Sequence, residues 1–399
     1  MTYESTGRNV REFLRGLLGN DSGSTAEPWP GTPLPPSPPS GGSGGYDPNR
    51  IINQVKLKDA IEPFHRIAAA GVGLQCNHAV QLIPGHLLVV YKERVYVLDP
   101  NKRRFTFAFH LLRTPRAEMR MIVPDSYGNI YCSMSGTLET VGPIDYASFG
   151  NWGAVLKVNL ARGEISSVCE GQFIDPFGLQ LLPGNKLLVA DFGGWGGTGT
   201  IYLVDLATEQ KEVLSTGGVF VDPESAFIDE GGVLWVANSM HRDYDGAIVK
   251  VENGRQTVVV PSRGYGSGIL CSVHSSNRED RIVGYVIDWP HMAGSALFHV
   301  DKATGEIDYL RQASAEDPKI FGPHGSVVGD VLWVGDSYEG EIIAFDLDRK
   351  RIVDRIDASP IKGSVKGVYD SFDFIETVAV IPPQEKVGDA AWDSHARRR

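Results

Sequence analysis

Three histidines and one glutamate occupy equivalent places in a repeated segment of the chain. Each lies 12 to 14 residues before the end of a predicted strand, and they are His78, Glu224, His274 and His324. Imidazoles and a carboxylate that converge on one point are a ligand set for Zn, Fe or Mn. The spacing therefore predicts a divalent transition-metal site. In it, Glu224 is a fourth ligand or a base beside metal-bound water.

Two observations weigh against this interpretation of the histidines. A single histidine in a strand is usually a structural residue with its hydrogen bonds satisfied. The two remaining equivalent positions hold side chains that do not bind metals in this way, Met119 and Phe177. The metal site is thus a hypothesis that depends on the alignment of the repeats.

A second set of residues ends the second strand of each repeat. Its members follow one another at intervals of 42 to 58 residues and are Tyr91, Ser133, Asp191, Asn238, Asp288 and Asp336. Asp and Asn at such positions commonly cap the backbone of a neighbouring loop. The alternative is that Asp191, Asn238, Asp288 and Asp336 fix the imidazole tautomers by hydrogen bonds. Asp288 and Asp336 are the best placed for this, since they share repeats with His274 and His324.

The loops after these strands are rich in aromatic and charged residues. They predict a substrate pocket lined by Trp195, Arg242, Tyr244, Trp289 and Tyr338. Groups that could transfer protons there are His241, His291 and Tyr91, in addition to Glu224. The glycine run around Trp195 lacks the lysine and the helix of a phosphate-binding loop, so a nucleotide site is not expected.

The elements that must position these residues are short strands in a repeated order. Each repeat reads as a strand, a tight turn with Gly or Asp, a strand, a variable loop, and one or two further strands rich in Val, Ile, Leu and Tyr. Four short strands every 40 to 50 residues are typical of a β-propeller blade. The sequence predicts six blades, with seven as the alternative. The strand at 374–382 or the strand at 51–57 is expected to help close the ring.

Composition limits the function classes. Lys+Arg 38 against Asp+Glu 49 gives a net charge of −11, which disfavours nucleic-acid binding. No apolar run is long enough to span a membrane, and the first residues lack a secretory apolar stretch, so a cytoplasmic protein is expected. Four cysteines without CxxC spacing are too few for a disulfide scaffold.

Three regions are expected along the chain. Residues 1–48 are a Pro/Gly/Ser-rich disordered tail in which residues 8–18 have the spacing of a short helix. Residues 49–385 form the propeller. Residues 386–399 form a C-terminal tail.

The repeats also carry a family resemblance. The segments GLQLLPGNKLLVADFGG…GTIYLVDL and AFIDEGGVLWVANS…GAIVKV resemble the NHL-repeat and gluconolactonase/strictosidine-synthase-like six-bladed propellers over roughly residues 75–360. The lactonases of that group hold a divalent cation mainly with carboxylate and amide ligands, a pattern from which Phe177 departs. The group's lyases with a histidine metal site, the peptidyl-hydroxyglycine amidating lyases and the streptogramin lyases, are more similar in ligand type.

The resemblance and the residues together favour a metal-dependent lyase or hydrolase. Its substrate would be a small molecule, such as a natural product, or a modified peptide at the mouth of the channel. Two alternatives stay open. One is a non-catalytic propeller that binds a protein partner through its N-terminal segment. The other is an iron-dependent oxygenase or cyclase that uses the same histidines.

Overall fold

The computed structural model describes thirteen segments of the 399-residue chain. They are residues 73–91, 94–112, 117–136, 152–192, 198–220, 222–239, 247–261, 269–276, 278–287, 296–312, 324–336, 339–362 and 375–383. Nearly all regular structure in these segments is β. The one helix among them, α1, is a single turn at Ser359–Lys362. It is too short to cross a membrane, so the described segments contain no membrane-spanning helix.

The strands form six antiparallel sheets, or blades. Blade 1 has five strands: β1 (Gly73–Cys76), β2 (Leu87–Tyr91), β3 (Arg94–Asp99), β4 (Arg104–Leu112) and β25 (Ile375–Val380). Blade 2 comprises β5 (Ala117–Pro124), β6 (Asn129–Gly136), β7 (Trp152–Asn159) and β8 (Glu164–Phe173). Blade 3 comprises β9 (Pro176–Leu182), β10 (Lys186–Asp191), β11 (Thr200–Asp205) and β12 (Gln210–Thr216).

The second half of the chain repeats the same plan. Blade 4 comprises β13 (Pro223–Ile228), β14 (Leu234–Asn238), β15 (Ala247–Glu252) and β16 (Arg255–Val260). Blade 5 comprises β17 (Ile269–Ser275), β18 (Arg281–Ile287), β19 (Ala296–Asp301) and β20 (Ile307–Gln312). Blade 6 comprises β21 (Ser326–Val328), β22 (Val331–Asp336), β23 (Glu341–Asp346) and β24 (Arg351–Asp357).

The burial of residues along the strands explains the order of the strands within each blade. The second strands are mostly apolar, and every residue of β2 and β14 is buried. They lie between neighbouring strands with blades packed on both faces, so neither face needs polar residues. The fourth strands β12 and β16 are instead partly exposed and carry charged residues. Charged residues protect an exposed sheet edge from pairing with other chains.

The first strands of the blades surround the centre of the molecule. β5 contacts β9, β9 contacts β13, β13 contacts β17, β17 contacts β21, β21 contacts β25, and β25 returns to β5. The inner strands run parallel to one another, as the bridge between His324 and Thr377 shows. The six-bladed propeller is therefore confirmed. The innermost strand of blade 1 is the C-terminal β25, which pairs with β2 along its whole length; this confirms the first of the two expected ring closures.

Side-chain hydrogen bonds join neighbouring blades near the channel. Thr377 Oγ1 donates to the carbonyl of Arg120 at 2.8 Å, which joins blade 1 to blade 2. Ser133 Oγ donates to the carbonyl of Phe177 at 2.6 Å, and the Val273 amide donates to Ser225 Oγ at 2.8 Å. These bonds join blade 1 to blade 2, blade 2 to blade 3 and blade 4 to blade 5 near the channel, which helps to keep the side chains there in defined positions.

Candidate active site

Charged and titratable side chains meet where the inner strands begin. Arg120 belongs to β5, Asp222 and Glu224 stand at the start of β13, and His324 lies just before β21. Arg120 interacts electrostatically with Asp222, Glu224 and His324, so the four side chains form one cluster although they come from three blades. We call these four residues together with His274 the central cluster.

Irregularities in the strands place two of these residues. The pairing of β13 with β14 shifts between Pro223 and Ser225, so Glu224 lies in a bulge. The pairing of β5 with β6 shifts between Met119 and Ile122, and Arg120 lies within that irregularity. A bulge takes a residue out of the strict alternation of a strand and can aim its side chain elsewhere.

The surroundings of Asp222 and Glu224 favour the protonated form of both carboxyl groups. Their residues are only 5 % and 9 % exposed. Burial raises the pKa of Glu224 well above its ordinary value, and the neighbouring Asp222 and Asp175 raise it further. Burial likewise raises the pKa of Asp222 to about 7, although Arg120 opposes the shift. The pair therefore retains a proton near neutral pH, because two adjacent buried carboxylates cannot both ionise cheaply.

The guanidinium of Arg120 supplies permanent positive charge to this cluster. It lies over the ring of Phe177, 4.8 Å from the ring centroid. The alignment of the repeats predicts Met119 at this position, 14 residues before Ser133. Met119 instead packs in the hydrophobic core between blades 1 and 2. The neighbouring Arg120 is the residue that joins the cluster. The available signal was an arginine inside the otherwise apolar strand MRMIVP.

The two histidines of the central cluster are neutral at physiological pH. Burial lowers the pKa of His324 to about 3, with smaller contributions from His274 and Arg120. Burial lowers the pKa of His274 to about 4. His274 Nε2 lies 2.7 Å from Ser272 Oγ, and its ring stacks on Tyr285 at 5.8 Å. His324 is 1 % exposed, and its Nδ1 has no hydrogen-bond partner among the described residues.

The structure does not bring His78 to this cluster. His78 follows β1, the outermost strand of blade 1, and its side chain contacts Cys76 and the carbonyl of Leu160. The repeat alignment placed it wrongly because the inner strand of blade 1 comes from the other end of the chain. The four predicted ligands are thus divided: Glu224, His274 and His324 belong to the central cluster, and His78 lies at the outer edge.

The residues at the ends of the second strands bind backbone amides. Asp191 accepts the amides of Ile174 and Asp175, the latter at 2.6 Å, and Asn238 accepts the amide of Asp222 at 3.1 Å. Asp336 accepts the amide of Glu339 at 3.1 Å. Asp191 and Asn238 therefore anchor the loop that enters the inner strand of the same blade, which fixes the backbone beneath Asp175 and Asp222. The capping interpretation accounts for these bonds.

Asp191→Ala should destabilise the protein by about 2–3 kcal/mol, because it leaves two buried amides without their acceptor. Asp191→Asn keeps one acceptor oxygen and should cost about half as much. Urea unfolding of the two variants measures the difference. Equal stability of Asp191→Ala and the parent protein would contradict the anchoring role.

The described residues do not make a metal centre. No three of their His, Cys, Asp and Glu side chains come together in a way that could hold an ion. His274 and His324 supply two imidazoles, but the positive charge of Arg120 beside His324 opposes a divalent cation. The predicted Zn, Fe or Mn site stays a prediction that requires ligands from elsewhere in the chain.

Several predicted site residues lie outside the described segments. They are Trp195, His241, Arg242, Tyr244, Asp288, Trp289, His291 and Tyr338. Residues 1–72 and 384–399 lie outside them too, so the two predicted tails and the helix at 8–18 stay predictions. Tyr91 is described: it is buried at the end of β2 and pairs with Arg94 and Ile375.

Comparisons with known proteins agree on the fold alone. No protein-family model matches the chain, and no curated protein matches it. Among solved structures, it is similar to a chain of a nidogen/laminin complex, with 14 % identity and a TM-score of 0.53 over 75 % of this chain and 99 % of that one. A protein of unknown function from Bacteroides caccae is similar at 14 % identity and a TM-score of 0.51, with the same coverage. These similarities support a β-propeller, and the more specific NHL and gluconolactonase resemblance stays a prediction.

Proposed function

We propose that the protein is a lyase or hydrolase that acts on a small molecule at the central channel by acid–base chemistry. The observation that carries the proposal is the central cluster itself. A carboxyl pair that keeps a proton and the neutral imidazole of His324 lie around the guanidinium of Arg120, and the neutral imidazole of His274 lies near His324. Environments that push the pKa values of neighbouring groups apart are characteristic of sites that transfer protons.

Glu224 is the proposed general acid. Its carboxyl group carries a proton at neutral pH, and Ser239 also hydrogen-bonds to it, which holds its orientation. Asp222 acts beside it as a positioning residue, since its charge keeps the proton on Glu224. Donation of that proton to a leaving group is the step common to hydrolysis and elimination.

His324 is the proposed general base. Its imidazole is neutral, and its buried Nδ1 has no hydrogen-bond partner among the residues that the structure describes. A buried nitrogen without a partner is costly unless a water molecule or a substrate uses it. Arg120, which interacts with both the acid and the base, would stabilise negative charge that develops between them.

The test is a substrate screen with matched variants. Ester, lactone and β-elimination substrates are offered to the parent protein and to Glu224→Gln and His324→Gln. We expect turnover of at least one substrate class and a loss of about 100-fold or more in each variant. The control is Asp205→Asn, the same kind of change in an exposed hairpin of blade 3. It should leave the rate unchanged.

The same preparations decide the role of a metal. Elemental analysis of the parent protein and of His324→Gln reports whether an ion binds at the cluster. Turnover that survives chelation and depends on Glu224 supports metal-free acid–base chemistry. Full activity in both Glu224→Gln and His324→Gln would overturn the proposal.

A further inference from the structure

Blade 1 differs from the other blades because its outermost strand, β1, comes first in the chain. The strand order is β1-β4-β3-β2-β25, so the connection from β1 to β2 has to pass β4 and β3. Residues 77–86 make this connection, and we call them the crossing segment. In blade 6, β21 instead joins β22 through the short turn at Gly329 and Asp330, so no segment crosses that sheet.

Backbone hydrogen bonds hold the crossing segment at both ends. The Asn77 amide donates to the carbonyl of Ala108 at 2.8 Å, and Asn77 Nδ2 donates to the carbonyl of Phe107 at 3.2 Å. At the other end, the Gly85 amide donates to the carbonyl of Ile381 at 3.0 Å. The segment therefore has a fixed course over blade 1.

A cavity of about 250 Å³ lies between the crossing segment and strands β3 and β4. At roughly 30 Å³ for one water molecule in the liquid, it has room for a ligand of about eight non-hydrogen atoms. Apolar lining comes from Ala79, Val80 and Ile83 of the crossing segment and from Val97 of β3. The polar lining residues are Asn77, Gln81, His86, Asp99, Lys102, Arg104 and Thr106.

The charged groups of the cavity leave one guanidinium available. Asp99 and Arg104 are cross-strand partners at the end of the β3–β4 hairpin. Asp99 Oδ1 accepts the amides of Asn101 and Lys102, and its Oδ2 lies 3.2 Å from Lys102 Nζ and 3.8 Å from His86 Nε2. Arg104 is exposed and forms no ion pair with another residue of the described segments. Its guanidinium can therefore pair with an anion that enters the cavity.

The crossing segment offers apolar surface opposite this positive charge. Ile83 is 44 % exposed, and Ala79 is exposed as well. A pocket with apolar lining and a few directing polar groups is typical of small-molecule sites. The planar guanidinium of arginine matches a carboxylate, with which it forms two parallel hydrogen bonds.

We propose that this cavity is an accessory binding site for a small carboxylate with a short apolar chain. The carboxylate pairs with Arg104, and the chain lies against Ile83 and Val80. The cavity shares no lining residue with the central cluster, so the proposal does not depend on the proposed function.

Ligand-detected NMR titrations of the full-length protein test the ligand class. Hexanoate, hexanamide and hexylammonium have chains of equal length and differ in charge. We expect hexanoate to bind with a Kd of about 1 mM or below, hexanamide at least about tenfold more weakly, and hexylammonium not at all. No binding of hexanoate, or equal binding of all three compounds, would overturn the proposal.

Substitutions at exposed positions locate the site. Arg104→Gln should weaken hexanoate binding by about tenfold, because it removes the charged partner of the carboxylate. Ile83→Asp should abolish binding, since it places a like charge on the apolar side. The matched control is Arg351→Gln, because Arg351 pairs with Asp346 in the corresponding hairpin of blade 6, which no segment crosses.

Arg351→Gln should leave the Kd of hexanoate unchanged, and circular dichroism verifies that each variant keeps the fold. Unchanged affinity in both Arg104→Gln and Ile83→Asp would show that hexanoate binds elsewhere. An equal loss of affinity in Arg104→Gln and Arg351→Gln would show that only the overall charge matters. Either result would contradict the assignment of the site to this cavity.

Discussion

A chain that ends at Asp373 should not fold into a stable propeller. The truncation removes β25, which supplies the innermost strand of blade 1 and also contacts the inner strands of blades 2 and 6. The lost side chains Ile375, Val378, Ala379 and Ile381 are buried, and the larger ones each contribute about 1.5–3 kcal/mol. Together with the unpaired backbone of β2, the loss is comparable to about 5–15 kcal/mol, the net stability of ordinary domains.

A chain that ends at Pro383 is the matched control, since it keeps β25 and removes only later residues. Circular dichroism during urea unfolding should show a cooperative transition in the control and none in the shorter chain. A synthetic peptide of residues 374–383 should restore the transition, because the edge of β2 is free to pair with an added strand. Similar unfolding midpoints for the two truncated chains would show that β25 does not close the ring.

The number of blades could be predicted from the sequence because each blade repeats the same local pattern. Buried second strands such as LLVVY and LWVAN end at residues that the repeats align, Tyr91 and Asn238. Tight turns with Gly or Asp separate them at regular intervals. The hydrophobic pattern and the strand propensity of such segments depend on neighbouring residues only, so the strands can be located from their spacing along the chain.

The central cluster could be predicted only in part. The spacing of residues within the repeats reveals neither the bulges in the strands nor the pairing of the C-terminal strand β25 with blade 1. Glu224 lies beside the residue that pairs with Asn238, the last residue of β14. His274 instead pairs with Val283, in the middle of β18, so the two are not equivalent positions. His274 nevertheless contributes to lowering the pKa of His324, whereas His78 lies at the outer edge of blade 1, since β25 takes the inner place in that blade.

Replacing Glu224 with Gln should stabilise the protein at alkaline pH while it abolishes the proposed activity. The folded-state pKa of Glu224 is raised above its unfolded value, so the folded state binds more protons than the unfolded state above about pH 4.5. Stability that the protonated carboxyl provides is therefore lost as the pH rises from that point. The amide keeps the shape of the protonated acid and cannot ionise, and Asp222 remains to face Arg120.

We expect the free energy of unfolding of Glu224→Gln to exceed that of the parent by about 2 kcal/mol at pH 8.5 and by almost nothing at pH 4.5, measured by urea unfolding.

His324→Gln should change the stability at acidic pH instead. Its lowered folded-state pKa makes the parent lose stability below about pH 6.5, and the variant should lose less there. Active sites commonly sacrifice stability in this way to keep groups in costly protonation states. A Glu224→Gln variant that is less stable than the parent at every pH would show that the pKa of Glu224 is not raised in the folded protein, and that result would remove the basis for assigning catalysis to the channel.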